Sequence, residues 1–231
     1  TGFLIHIFFL KKYVIIAAGG IGKRMISDTP KQFLCLKGIP ILIRSISIFV
    51  NYDEKIQVIL VLPSDQIDLW KEICKKYSVN IPHTIVLGGE TRFHSVKNGL
   101  SHIQDNNCLI AVHDAARPLV STNVIDQAFK CAEKNGSAIP CIKITDSIRI
   151  IENEISKPIN RNKLVAIQTP QCFKGALIQE AYKQPYCVEF TDDATVVENM
   201  GTKISLINGN SENFKITTPL DLLFAEALLK K

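Results

Sequence analysis

Short apolar runs alternate with stretches of helical spacing along the first two-thirds of the chain, and this alternation limits the possible folds more than any other feature. Residues 13–17, 56–62, 84–87, 109–113 and 137–142 read as strands, while 41–50, 66–76, 93–103 and 122–135 have the length and spacing of helices. The run 56–62, Ile-Gln-Val-Ile-Leu-Val-Leu, is almost continuously apolar, as a strand covered on both faces must be. Ser64 is placed to cap the helix after it, Ser121 or Thr122 to cap the helix at 122–135, and Gly136 to stop that helix. Repeated β-α-β units predict an α/β fold: a Rossmann-like, mostly parallel sheet with helices on both faces and right-handed crossovers. Ligands of such sheets bind outside the carboxyl ends of the strands.

The pattern breaks after residue 142. Residues 143–165 alternate short apolar and charged pieces around a turn near 152–154, with Asn153 where a hairpin loop would lie. A two-stranded ribbon is marginally stable alone. The segment therefore predicts a protruding β-arm for dimerisation, with a hairpin folded back on its own domain as the alternative. A strand at 166–168, helices at 174–183 and 193–200, a strand at 203–208 and a helix at 220–229 complete the expectation. A chain of 231 residues fits one domain plus this arm, burying roughly 70–75% of its unfolded surface.

A formal charge of +5 suits an anionic substrate, but basic residues are scattered, which argues against nucleic acid as a partner. The apolar segment 3–10 is too short to span a bilayer, has no basic residues ahead of it, and reads as an extension of the first strand or a terminal tail. No membrane partner is expected. The seven cysteines form no C-x-x-C pair and mostly lie in apolar stretches, as buried reduced thiols would. The absence of a long transit segment points to a bacterial cytoplasm, with a plastid as the alternative.

The strand at 13–17 runs into Ala18-Gly-Gly-Ile-Gly-Lys-Arg-Met25, and Lys31 follows. A Walker loop would need Ser or Thr after Gly22-Lys23, where Arg24 stands, and a dinucleotide fingerprint would need a third glycine where Met25 stands. What survives is a nucleoside triphosphate loop carrying its own cations, with a plain strand-to-helix turn as the bland alternative. Asp114, ending the strand at 109–113, could hold a hard cation, and Arg117 could grip a phosphate. His113 reads as a side chain satisfied by nearby backbone, since the other histidines lack the acidic partners of a metal-dependent phosphohydrolase. Gly88-Gly-Glu-Thr-Arg-Phe-His-Ser95 brings backbone groups, Arg92 and Ser95 to the mouth of a strand, and Lys215 precedes a helix opened by Thr218-Pro219.

These pieces, with Pro30-Lys-Gln-Phe33, Val112-His-Asp-Ala-Ala-Arg-Pro118, Gln168-Thr-Pro-Gln-Cys-Phe173, Thr191-Asp-Asp-Ala-Thr195 and Asn213-Phe-Lys-Ile-Thr-Thr-Pro219, give a chain that resembles the 2-C-methyl-D-erythritol 4-phosphate cytidylyltransferases from residue 14 to about 223. It departs at Gly19, where many members have alanine, and at Ser147, where some have threonine. The resemblance implies CMP transfer from CTP to the alcohol phosphate in the non-mevalonate isoprenoid pathway, with Mg²⁺ or another divalent cation held by Asp114. It implies catalytic roles for Arg24, Lys31 and Lys215. CTP would be bound at Ala18, Gly19, Gly20, Gly22, Gly89, Glu90 and Ser95, and the alcohol phosphate at Asp114, Arg117, Thr169 and Thr191. Ser147 and Arg161 of the arm would reach the neighbouring subunit's substrate in a homodimer. The rivals are a ribitol 5-phosphate cytidylyltransferase and, from another class, a non-catalytic nucleotide-binding protein. With no second domain after Lys231, the chain is expected to be monofunctional.

Overall fold

The structure, a computed structural model, describes residues 10–19, 25 and 29–229. The segment 3–9 and the loop residues Gly20, Gly22, Lys23 and Arg24 lie outside the described residues. The strands are β1 (Lys11–Ala17), β2 (Cys35–Leu36), β3 (Ile39–Pro40), β4 (Gln57–Leu62), β5 (His83–Leu87), β6 (Cys108–Asp114), β7 (Ser137–Lys143), β8 (Ile148–Glu152), β9 (Ile155–Ile159), β10 (Val165–Ile167), β11 (Gln171–Lys174) and β12 (Leu206–Asn208). The helices are α1 (Ile41–Tyr52), α2 (Ile67–Lys76), α3 (Arg92–Leu100), α4 (Thr122–Asn135), α5 (Gly175–Ala181), α6 (Asp193–Glu198) and α7 (Pro219–Leu228).

The central sheet runs β10-β7-β11-β6-β1-β4-β5, with β12 also on β7. Pairs β1–β4, β1–β6, β4–β5 and β7–β12 are parallel, so the expected mostly parallel α/β sheet is present. Successive side chains on a strand point to opposite faces, and both faces here are apolar. Val14 and Ile16 of β1, Leu60 and Leu62 of β4, and Leu109 and Ala111 of β6 join one core, sealed by Phe49 of α1, Trp70 of α2 and Phe129 of α4. The intervening Ile15, Ile59, Val61, Ile110 and Val112 join the other, under Phe93 of α3, Ile178 of α5 and Val197 of α6. Every residue of β6 is buried, which is why the run reads as apolar up to His113. Among the described residues, no helix is long and apolar enough to cross a membrane.

Several expectations needed correction. The sequence reading had no strand at β11, which lies antiparallel between β6 and β7 and reverses the sheet locally. The short β2–β3 hairpin was also missed. Ser64 does not cap α2: Pro63 opens a 3-10 turn at Ser64–Gln66, and α2 begins at Ile67 without a side-chain cap. Ser121 caps α4 and Gly136, at φ 92°, ends it, both as expected. The thiols are not uniformly buried, since Cys35 and Cys187 are exposed.

Among the described residues, strands β8 and β9 pair only with each other. Their turn lies at Asn153 and Glu154, with φ of 48° and 65°. Two consecutive positive φ values are the signature of the tight hairpin turn that follows the natural twist of the strands. Ile151 and Ile155 on this hairpin are 73% and 62% exposed, so these two side chains are not covered by the described residues.

Candidate active site

The register of the parallel strands sets the site. Ala17 of β1 lies opposite both Val61 of β4 and Asp114 of β6. Past the strand ends the stitching continues: Ala18 N–H donates to the Val61 carbonyl (3.0 Å), Ala115 N–H to the Ala17 carbonyl (3.1 Å) and Gly88 N–H to the Leu62 carbonyl (2.8 Å). The loops after β1, β5 and β6 therefore open on one cleft, as doubly wound sheets dictate.

Lys31 begins a 3-10 turn, Lys31–Phe33, whose buried Gln32 donates from Nε2 to the Ala18 carbonyl at 2.8 Å. That bond ties the cation-bearing turn to the glycine loop. Lys31 and Lys215 line the same cavity with Ala17, Ala18, Asp114 and Ala116. An adjoining cavity is lined by Gly19, Gly89, Glu90, Thr91, Arg92 and Ser95, and shares Ala17, Asp114 and Lys215 with the first. Gly89 N–H donates to Ser95 Oγ at 3.1 Å. A Cβ on Gly89 would lie 2.4 Å from His94 Cβ, so no other residue fits without moving the loop. Gly19 differs: a Cβ there would sit 3.8 Å from Ser95 Oγ, an ordinary contact, so glycine and alanine are sterically equivalent.

Asp114 is the electrostatic centre. Lys215 Nζ approaches it at 3.0 Å, Arg117 Nε at 3.2 Å and Arg92 Nε at 3.7 Å. Burial alone would raise its pKa, but Arg92, Lys215 and Arg117 outweigh burial and hold the carboxyl well below the usual range. It is a permanent anion and a very weak base. Arg92 is itself held by Asp193, a fully buried residue, in a two-bond fork at 2.8 and 2.7 Å. Tyr182 donates its hydroxyl to the same carboxylate at 2.6 Å. Burial opposes the charge of Arg92, yet Asp193 and Asp114 raise its pKa, so the guanidinium stays charged.

Arg117 donates from Nη1 to the Asn213 carbonyl at 2.8 Å as well as to Asp114. Asn213 donates from Nδ2 to the Thr169 carbonyl at 2.8 Å, while its buried Oδ1 has no partner among the described residues. His113 is fully buried between the Thr169 hydroxyl and the Arg117 carbonyl, as the backbone-satisfied reading expected. Thr191 is exposed just before Asp192, which caps α6. Ser147 and Arg161 are exposed on the arm, where Arg161 Nη1 donates to the Thr145 carbonyl, and neither lines the two cavities. The structure thus brings together Ala18, Gly19, Lys31, Gly89, Glu90, Ser95, Asp114 and Lys215, with Arg117 and Thr169 directly behind them. Gly20, Gly22 and Arg24 lie outside the described residues. The sequence reading noted Arg92 at the strand mouth without assigning it work, and missed Gln32, Asp193 and Asn213. The polar residues within Pro30-Lys-Gln-Phe33 and Thr191-Asp-Asp were the available signals.

Among the described residues, no group of three or more His, Cys, Asp or Glu could hold a metal ion. Asp114 already faces three cations, and the second carboxylate lining the adjoining cavity with it is Glu90.

Residues 12–231 match the family model for 2-C-methyl-D-erythritol 4-phosphate cytidylyltransferase. The protein of that name from Phocaeicola vulgatus is 46% identical over 220 residues, covering 95% of this chain and 100% of the relative. The one from Azobacteroides pseudotrichonymphae is 48% identical over 222 residues, covering 95% of this chain and 99% of its own length. The crystal structure of 4-diphosphocytidyl-2C-methyl-D-erythritol synthase from Anaerococcus prevotii superposes with a TM-score of 0.80 at 29% identity, covering 96% of this chain and 99% of the other. The Thermus thermophilus cytidylyltransferase gives 0.77 at 29% identity, covering 96% and 100%. A cleft built by parallel-strand ends, lined with cations and assembled from the same motifs, accords with these matches: the chain belongs to the 2-C-methyl-D-erythritol 4-phosphate cytidylyltransferase family and is a nucleotidyltransferase.

Proposed function

We propose that this cleft joins CTP to 2-C-methyl-D-erythritol 4-phosphate, and that its catalytic power comes from positioning and preset charge. The activity itself follows from the family: CMP passes from CTP to the alcohol phosphate, giving the CDP-alcohol of isoprenoid synthesis and pyrophosphate. An oxygen of the acceptor phosphate forms the new bond to the α-phosphorus. The bond from that phosphorus to its bridging oxygen breaks, and pyrophosphate leaves with the electron pair. The nucleophile is already an anion, so no general base is required, and Asp114, salted by three cations, would be a poor one. The difficulty is anion-on-anion approach, which fixed cations relieve.

In this reading Lys31, with Arg24, holds the triphosphate, and Lys215 neutralises the α-phosphate. Gly20 and Gly22 bring backbone close to the phosphates. Backbone at Ala18, Gly19 and Gly89, with Glu90 and Ser95, selects cytosine. Arg117 and Thr191 face the acceptor. The observation that carries the reading is the shared cavity of Lys31, Lys215 and Asp114 beneath the end of β1. A divalent ion would enter with the triphosphate, and Asp114 is the residue of this chain that would hold it. Its chemistry would be neutralisation of phosphate oxygens.

The chain acts as one nucleotidyltransferase unit, and the β8–β9 arm closes on a second copy, bringing Ser147 and Arg161 to that copy's acceptor phosphate. The exposed Ile151 and Ile155 support a partner for this hairpin. Its cellular place is the bacterial cytoplasm. The decisive assay offers purified protein CTP or another nucleotide, with methylerythritol phosphate or ribitol phosphate, and measures pyrophosphate with and without Mg²⁺. Turnover should require CTP and prefer methylerythritol phosphate; preference for ribitol phosphate would overturn the acceptor assignment.

A further inference from the structure

The hydrogen-bond inventory around His113 constrains what Thr169 can do. His113 Nε2 faces the Arg117 carbonyl at 3.1 Å, and a carbonyl can only accept, so Nε2 carries the proton. The ring is buried against Phe49 and lies close to Arg117 and Arg92. Its two nitrogens face the Arg117 carbonyl and the Thr169 hydroxyl rather than a carboxylate, and a fully buried ring without an acidic partner stays neutral. A neutral ring protonated at Nε2 has a bare Nδ1. Thr169 Oγ1 lies 3.0 Å from that nitrogen, so the hydroxyl must donate to it. The same oxygen accepts the Asp114 backbone N–H at 3.1 Å. The one proton of the Thr169 hydroxyl is therefore spent inside the protein.

A phosphate dianion only accepts hydrogen bonds, and a hydroxyl with no proton to give cannot bind it. Thr169 is also only 5% exposed. We propose that His113 and Thr169 are positioning residues: a chain from Asp114 N–H through the Thr169 hydroxyl to His113, and from His113 Nε2–H to the Arg117 carbonyl, sets Asp114 and Arg117 in register for the acceptor. This excludes donation from the Thr169 hydroxyl to the acceptor's phosphate, and it rests on the placement of Asp114 and Arg117 in the site proposed above. Asn213 braces the same chain, because its side chain holds the Thr169 carbonyl while its own carbonyl holds Arg117.

The test is a double-mutant cycle on kcat and on KM for both substrates, run well below the melting temperatures of all variants. Thr169→Val removes the donor and His113→Gln removes its acceptor. Each should lower kcat about tenfold, a fraction of the loss a 1 Å misplacement can cause, with KM for CTP unchanged. The double variant should be no worse than the poorer single, because both break one chain, and Thr169→Ser should restore kcat to within about twofold of the parent. Multiplying effects, or a Thr169→Val defect confined to acceptor KM, would overturn the relay. If His113→Gln fails to fold, the Thr169 valine and serine pair decides alone by that same split of kcat from KM. Nitrogen NMR of the parent protein gives a direct reading: the relay requires a neutral His113 protonated at Nε2, and a proton on Nδ1 would sink it. Asp114→Asn separates the two levels. Parent-like turnover in that variant would refute the site itself, whereas an impaired Asp114→Asn beside parent-like Thr169→Val and His113→Gln would refute only the relay.

Discussion

The end of β6 and the tip of the arm are opposite solutions to holding charge in place. At Asp114 a buried carboxylate is ringed by Lys215, Arg117 and Arg92, and Arg92 is locked by a second buried acid, Asp193. Arg92 and Arg117 each have a second partner, so removing one of the buried acids leaves a charge poorly reached by water. On the arm, Lys157 and Glu152 meet at 3.4 Å while more than half exposed, in a hairpin that pairs with no other strand among the described residues. Such pairs contribute from nothing to about 1 kcal/mol. The contrast teaches where order resides: the cleft is set by the chain itself, whereas the arm has its geometry but lacks its packing.

The largest effect expected on this contrast is at Asp193. Asp193→Ala strands the Arg92 guanidinium and the Tyr182 hydroxyl, and should cost about 3–5 kcal/mol of stability. Denaturant unfolding would read this, and a loss below 1 kcal/mol would mean that water reaches the pair and the cleft is less closed than drawn. Next, Lys31→Ala should lower kcat about 10²–10³-fold, on the order of 3–4 kcal/mol, by analogy with removing one preset charge stabiliser. Stability should change little; turnover within a few-fold of the parent would remove Lys31 from the mechanism.

Acid should also act on the cleft before the arm. Burial pushes His113 down from 6.5 to about 4, so between those values the unfolded chain binds the proton and the folded chain does not. Stability therefore rises with pH across this window, and roughly 3 kcal/mol is lost on acidification through it. His113→Gln should flatten that slope in melting curves taken from pH 7 to 4. The smallest changes belong to the arm. In the proposed dimer, Ile151→Glu should give a monomer by light scattering with the melting of the body nearly unchanged. Arg161→Ala should raise acceptor KM while CTP affinity holds; equal weakening of both substrates would give the arm a folding role instead.

The body was legible because sheet burial writes itself locally. An apolar run such as 56–62 has no other use, and glycine or aspartate at its end marks the cleft. The hairpin turn was legible through a different local signal, the turn chemistry of Asn153. Strand β11 was hidden because four residues beginning with Gln and ending with Lys carry no period, and its place is decided by β6 and β7. The Arg92–Asp193 fork was hidden for a different reason: its members lie 101 residues apart, and nothing near either names the other. The Thr169 hydroxyl is the subtler case. Its position in the site was foreseen, but its direction depends on a histidine tautomer, which only the surrounding geometry reveals.

The unequal balance around Asp114 has one consequence for turnover. Asp114 and Asp193 together offset only part of the charge of Lys215, Arg117 and Arg92, and Lys31 lies on the same wall. By itself the cleft is a trap for any small polyanion, including the pyrophosphate that it generates. The same feature that draws substrates in must slow the departure of this product, so salt should hasten release even as it weakens capture.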